Sequence, residues 1–230
     1  MFSKVFLAMT AGEMYDAAAE RIAYMALHFS PYGAGLSNPP QSLPENSILL
    51  LDDSMQIENH DPTLVARQLE ELVSRFSASA VLLDFQRETS IPTRDMVSHV
   101  LQVLPCPVAA TAPYAKEFHC PVFLAPPPVN TPLTAYLAPW LKQGVYLEIA
   151  PDCMEITVTE MGCTKSRIHS PKELPLTDKR LHCHYQVEVL PDKAVFTVCR
   201  YTPDLQSLVA EAETLGVFGC VGLYAELTNK

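Results

Sequence analysis

Apolar residues in this chain fall into short runs that end in charge or proline, separated by stretches of helical period. The stretch 80–88, AVLLDFQRE, shows the pattern most sharply: four apolar residues run into Asp84, and the polar tail Gln86-Arg87-Glu88 follows. A short apolar run closed by charge predicts a buried parallel strand whose carboxyl end opens into a site. Strand alternation places Leu82, Asp84, Gln86 and Glu88 on one face and Val81, Leu83 and Phe85 on the other. A carboxylate at that position needs a hydrogen bond to a nearby loop or a ligand to satisfy it.

The same reading along the chain predicts strands at 4–9, 24–29, 47–53, 107–112, 121–125, 145–150 and 220–225. Helices are predicted over 11–23, from Asp61-Pro62 through Phe76, over 92–104, over 132–143 and from Thr202-Pro203 to Gly216. Asp61 and Pro62 form a helix start of cap and first residue, and Val65, Leu69, Leu72, Val73 and Phe76 then share one face. A glycine- and proline-rich loop of roughly 17 residues precedes the third strand, a length uncommon outside functional loops. The rhythm breaks after residue 150. MEITVT at 154–159, LHCHYQVEV at 181–189 and AVFTVC at 194–199 alternate like antiparallel strands. Eight strands, most followed by helices, predict an α/β fold: a compact (β/α)8 TIM barrel over 1–230, with an antiparallel insertion over 151–200 between strands seven and eight. An open doubly wound sheet is the alternative, but neither GxGxxG nor GxxxxGK[ST] occurs.

Composition narrows the partners. The chain has 230 residues, 48% of them hydrophobic, a formal net charge of −10 and a pI near 5.1. That balance argues against nucleic acid and anionic membrane as partners. No apolar stretch has transmembrane length, and the N-terminus reads as a first strand rather than a signal peptide, so a cytoplasmic location is expected. The seven cysteines form no CxxC pair, and Cys106, Cys120, Cys199 and Cys220 lie on apolar segments, as expected of reduced core thiols.

Three parts of the chain together resemble glycoside hydrolase family 18, the chitinase-type barrels, and most of all its spore-cortex-lytic branch. SILLLDD followed by a helix and SAVLLDFQ has the layout of the family's third strand, helix and DGxDxDxE strand. WLKQGVYLEIA at 140–150 resembles its seventh strand. The tail from Ala194 to Leu227, with Asp204 and Ser207 at a D-x-x-S helix start, resembles its closing pattern. The resemblance implies a glycan ligand and a substrate-assisted mechanism in which the motif's glutamate is the general acid. Laid on this chain, the last motif aspartate falls on Asp84 and the acid on Gln86, which has no titratable proton. Sliding the register by two puts Glu88 in the acid position. The family's Met-x-Tyr-Asp tyrosine meets Ala125-Pro126-Pro127-Pro128, and its closing tryptophan meets Leu223 or Tyr224.

A barrel places its site at the carboxyl ends of its strands. Residues expected there are Thr10, Glu13, His28, Ser30, Asp52, Asp53, Asp84, Gln86, Glu88, Thr111, Tyr114, Glu148, Tyr224 and Glu226. Asp53, Asp84, Gln86, Tyr114, Glu148 and Tyr224 are candidates for ligand contact; Asp84, Glu88 and Glu226 are candidates for catalysis. Such an acidic mouth suits a neutral or cationic sugar better than a phosphate. Only one of Asp52 and Asp53 is expected to point inward. Paired acids form an acid/base couple or hold a divalent metal, but no ligand-spacing motif supports a metal, and no cofactor is expected. His182 and His184 share a predicted strand face as a zinc-like pair or a surface pair. Three functions follow as expectations: a degenerate chitinase-like barrel that binds a glycan or similar small molecule, an active glycosidase with relocated acids, and a scaffold whose insertion mediates self-association.

Overall fold

The computed structural model describes residues 5–16, 19–87, 89–169, 171 and 173–228. Eight parallel strands close into a barrel: β1 (Val5–Met9), β2 (Ile22–Phe29), β4 (Ile48–Asp52), β5 (Ala80–Asp84), β6 (Val108–Thr111), β7 (Val122–Leu124), β8 (Val145–Glu148) and β14 (Gly219–Leu223). The closing pair is β1 with β2, Leu7 opposite Ile22. A two-residue strand, β3 (Leu36–Ser37), adds antiparallel to the end of β2.

Alternation along the strands separates two cores. Phe6, Ala8, Ala23, Ile48, Leu50, Ala80, Leu82, Ala109, Phe123, Tyr146 and Val221 fill the barrel interior. Alanines on β2, β5 and β6 leave the space that the rings on β1, β7 and β8 occupy, which is how a small closed barrel packs without a pore. Odd neighbours such as Val81, Leu83 and Phe85 join the outer layer under the helices. That layer is covered by α1 (Ala11–Asp16), α2 (Pro62–Phe76), α3 (Ile91–Val103), α4 (Ala112–Phe118), α5 (Leu133–Leu137), α6 (Thr202–Thr214) and α7 (Tyr224–Thr228). α2 begins where the sequence placed it: Asp61 accepts the Thr63 N–H at 2.9 Å, and Val65, Leu69, Leu72, Val73 and Phe76 are buried.

Several boundaries move. The first helix ends at Asp16 and β2 starts at Ile22, two residues before the expected strand; Ala17 and Ala18 lie outside the described residues, as does Lys4. The expected helix over 132–143 is helical only through Leu133–Leu137 and continues in turns. α4 was not anticipated, because APYAKEF follows β6 with no linker. The last strand stops at Leu223, and Tyr224 opens α7.

The insertion is a five-stranded antiparallel sheet: β9 (Asp152–Thr159), β10 (Gly162–Arg167), β11 (Leu176–Asp178), β12 (Cys183–Val189) and β13 (Lys193–Arg200), in the order β10-β9-β13-β12-β11. Two of these, β10 and β11, were not predicted. Register puts Tyr185 opposite Val198, and Val198 opposite Met154, on one face. That face packs on Val129 from the β7–α5 loop. Cys153 and Cys199 lie opposite each other and are joined as a disulfide, which corrects the expectation of a reduced Cys199. Cys106, Cys120 and Cys220 are free. Among the described residues no helix is long and apolar enough to cross a membrane.

Candidate functional site

The barrel mouth inherits its chemistry from alternation. Leu82, Leu50 and Tyr146 point inward, so Asp84, Asp52 and Glu148, two residues on, share their faces at the strand ends. Asp52 and Asp84 are register partners on adjacent strands. All three are half-buried. None forms a salt bridge with a lysine, arginine or histidine among the described residues.

The Gln86 amide donates to Asp84 Oδ1. Burial pushes the Asp84 carboxyl above its usual range; the Gln86 bond opposes this, and the charges of Asp52 and Asp53 add to the rise. Glu148 is displaced further. Burial, then the charges of Asp84 and Glu226, bring it from the ordinary 4.5 to about 7. Burial and like charge together disfavour the ionised form of each carboxyl. Asp52 is better provided for, since its Oδ1 accepts from the N–H of Ser54 at 3.0 Å and from its hydroxyl at 2.5 Å.

Asp53 points away from the mouth and is 4% exposed. Its oxygens accept the N–H groups of Gln86 at 3.0 Å and Arg87 at 2.8 Å, so it anchors the turn that carries Gln86. The Arg87 guanidinium then donates to Ser54 O at 2.5 Å, tying the β5–α3 and β4–α2 loops together. Tyr114 is 1% exposed in the outer layer, its ring edge-on to Phe85 at 6.1 Å. Tyr224 is half-buried and Glu226 exposed, both on α7 at the end of β14. Glu88 lies outside the described residues.

Elsewhere on the rim, Thr10 donates to Glu13 through its N–H and hydroxyl, and Thr111 donates to Phe85 O at 2.7 Å. His28 meets Ala26 O through Nδ1 at 3.0 Å. These pairs satisfy one another locally. Two residues of the mouth were not picked out from the sequence. Tyr136 donates its hydroxyl to Ala125 O at 2.9 Å, and burial and the Glu148 charge both raise its phenol. Arg167 on β10 binds Asp152 at 2.9 Å and is near enough to Glu226 to feel its charge. No periodicity marks either one, because tertiary placement of the short helix α5 and of the insertion brings each to the rim.

His182 and His184 do not share a strand face: His182 has φ +49° and precedes β12. His182 bonds Ser207 Oγ at 2.8 Å through Nδ1 and Glu211 through Nε2, and His184 Nε2 lies 3.2 Å from Asp204. Among the described residues no three His, Cys, Asp or Glu converge to hold a metal ion.

No family model matches the sequence, and neither does any curated protein. Solved structures do share its fold. The spore cortex-lytic enzyme SleL of Bacillus cereus aligns over 95% of this chain and 70% of its own, with a TM-score of 0.55 and 8% identity. SleL of Bacillus megaterium aligns over 95% and 70%, at 0.51 and 10%. A chitinase of Chromobacterium violaceum aligns over 98% and 95%, at 0.53 and 10%. At these identities the likeness is one of fold: a closed eight-stranded parallel barrel of the kind those cortex-lytic and chitinase proteins have.

Proposed function

We propose that this protein binds a glycan or glycan-like ligand at the carboxyl-end mouth of its barrel, without the hydrolysis typical of family 18. The observation that carries the reading is the pair Asp84 and Gln86: an amide stands where the family pattern has its proton donor, and it is spent on Asp84. A group of half-buried carboxylates with no cationic partner among the described residues is costly to the fold, and such groups are kept where a ligand's hydroxyls or amine satisfy them. The fold shared with chitinase and cortex-lytic structures supports a saccharide as that ligand. Titration with N-acetylglucosamine oligomers tests the reading. Binding is expected in the wild type and a loss of at least about tenfold in Asp84→Asn, where a ligand hydroxyl loses a charged acceptor. No new reducing ends should form. A wild type that ignores every oligomer would overturn it.

Glu148 favours a second reading, an active glycosidase with relocated acids. A carboxyl titrating at about 7 suits a general acid at neutral pH, with Asp84 or Glu226 as its partner. Release of a chromogenic aglycone from an N-acetylglucosaminide, lost in Glu148→Gln, would establish this reading over the first.

A further inference from the structure

The turn before β12 meets α6 through a ring whose proton count is fixed by its partners. His182 Nε2 faces a Glu211 carboxylate oxygen, and Nδ1 lies 2.8 Å from Ser207 Oγ. Ser207 has one hydroxyl proton, and it donates that proton to Asp204 O at 2.8 Å. Its oxygen is then left to accept, so Nδ1 donates. The carboxylate accepts as well, so Nε2 also donates. A neutral imidazole has one N–H and a protonated one has two. The bonds are therefore all satisfied only with His182 as a cation.

The same residues supply the alternative. Without the second proton, Nδ1 is an acceptor that meets an acceptor. The Ser207 hydroxyl resolves the conflict by turning from Asp204 O to Nδ1, and the bond to Glu211 loses the charge that strengthens it. The other groups around the ring leave this exchange to His182. The turn carries Asp178, Lys179 and Arg180; Asp178 accepts the N–H groups of Arg180 and Leu181 at 2.8 and 3.1 Å, and the two cations are exposed. On β12, burial and then the Asp178 charge push the Cys183 thiol up to about 11, so it stays neutral, and His184 faces Asp204 of α6. On β13, Arg200 binds the His182 carbonyl rather than the ring. An imidazole is the side chain that ordinarily changes charge between pH 5 and 8.

The backbone is set to respond. His182 has φ +49°, a left-handed conformation that persists in a non-glycine residue where its surroundings hold it. Arg200 Nε holds its carbonyl at 3.3 Å, and Ser207 and Glu211 hold its ring, which is 9% exposed. Strands β11 and β12 form the outer edge of the insertion sheet, bonded to the rest of it through β13 alone. We infer that His182 is a proton-operated latch between the insertion and the barrel: with its second proton it clamps the turn before β12 to α6, and release of that proton to solvent turns Ser207 and loosens the β11–β12 edge. The latch is independent of what the mouth binds.

Two readouts test it. The first is the 15N signals of the His182 ring, followed from pH 5 to 8 in the full chain. Two N–H nitrogens are expected at the acid end and one at the alkaline end; a proton count that never changes would overturn the latch. The second is hydrogen-exchange protection of the amides of residues 179–189, corrected for intrinsic exchange at each pH and taken as the ratio of wild type to His182→Asn. Asparagine tolerates the left-handed backbone and does not titrate. The mouth's own pH dependence is common to both proteins and cancels. The ratio is expected to be about tenfold at pH 5.5, the worth of one charge-assisted bond, and to approach one at pH 8. Glu211→Gln keeps an acceptor for Nε2 and should lose most of the acid-side protection with little change at pH 8. A ratio constant across the range would make His182 a fixed structural contact, and a Glu211→Gln protein with the wild-type pH dependence would remove the carboxylate from the device; either result overturns the latch.

Discussion

Two regions of the molecule gather acidic side chains, and they treat them in opposite ways. In the seam between the insertion and α6, every acid has a partner. Glu211 faces His182, Asp204 faces His184, and Asp204 also accepts the Tyr201 N–H at 2.8 Å. In the mouth, Asp52 has the Ser54 N–H and hydroxyl and Asp84 has the Gln86 amide, but no cation pairs with Asp52, Asp84 or Glu148 among the described residues. The seam spends its charges on joining two pieces of the fold. The mouth leaves its charges without a cation among the described residues, at a cost to stability that fits the proposal of a ligand that completes them.

The seam is fastened by Arg200, which is 1% exposed. Its guanidinium donates to Pro127 O at 2.6 Å, Leu181 O at 3.0 Å and His182 O at 3.3 Å, joining the β7–α5 loop to the turn before β12. Burial lowers its pKa, but the three carbonyls hold the charge in place. Arg200→Met strands one buried and two part-buried acceptors, and a loss of about 3 kcal/mol is expected in urea unfolding. In the mouth, Glu148→Gln should leave stability at or above that of the wild type. If the two variants cost the same, the contrast between seam and mouth fails.

The mouth also predicts a pH signature. The Glu148 carboxyl titrates at about 7 in the fold and near its ordinary 4.5 in the unfolded chain. Between these values the native state holds more protons than the unfolded one, so stability falls as pH rises. The full displacement corresponds to at most about 3 kcal/mol, present below the unfolded pKa and lost as pH passes through 7. Asp84, raised in the same direction, adds to the slope from the acid side. Unfolding free energies for the wild type and Glu148→Gln, compared between pH 4.5 and 7.5, should converge at the acid end and separate at the neutral end. A constant difference across that range would mean that Glu148 is not perturbed.

Much of the barrel could be read in the sequence because its strands are buried on both faces and therefore written as unbroken apolar runs. SILLLDD and AVLLD announce themselves, Asp84 stands out as a charge that ends such a run, and Glu148 as one that interrupts VYLEIA. Asp61-Pro62 marked α2 through chemistry that needs no tertiary context. The failures share a cause. All six residues of β10 are exposed, so GCTKSR carries no alternation to detect. The Cys153–Cys199 pairing depends on the register of β9 with β13 across 46 residues, which no local pattern encodes. Asp53 and Asp84 look alike in sequence, and only the path of the β5–α3 turn decides that one caps backbone while the other faces the mouth. The long loop after β2 was conspicuous but its shape was equally hidden, because Asp61 and Gln68 hold Ala34 and Leu36 from a distance.

The smallest expected effect compares the regions most directly, through the sign of a coupling. His184 and Asp204 are 3.2 Å apart, with side chains 34% and 12% exposed. A pair so open to water should couple favourably by only about 0.5 kcal/mol in a cycle built from His184→Ala and Asp204→Asn, and salt should weaken it. Asparagine keeps an acceptor for the Tyr201 N–H, so the cycle isolates the charge. The corresponding cycle in the mouth, Asp84→Asn with Glu148→Gln, should return a coupling of opposite sign at neutral pH, because each substitution relieves the carboxylate that remains. Added salt should shrink this second coupling less, since its charges are half-buried. Two couplings of the same sign would show that the mouth's carboxylates already have a partner within the chain, and the case for an external one would lose its physical basis.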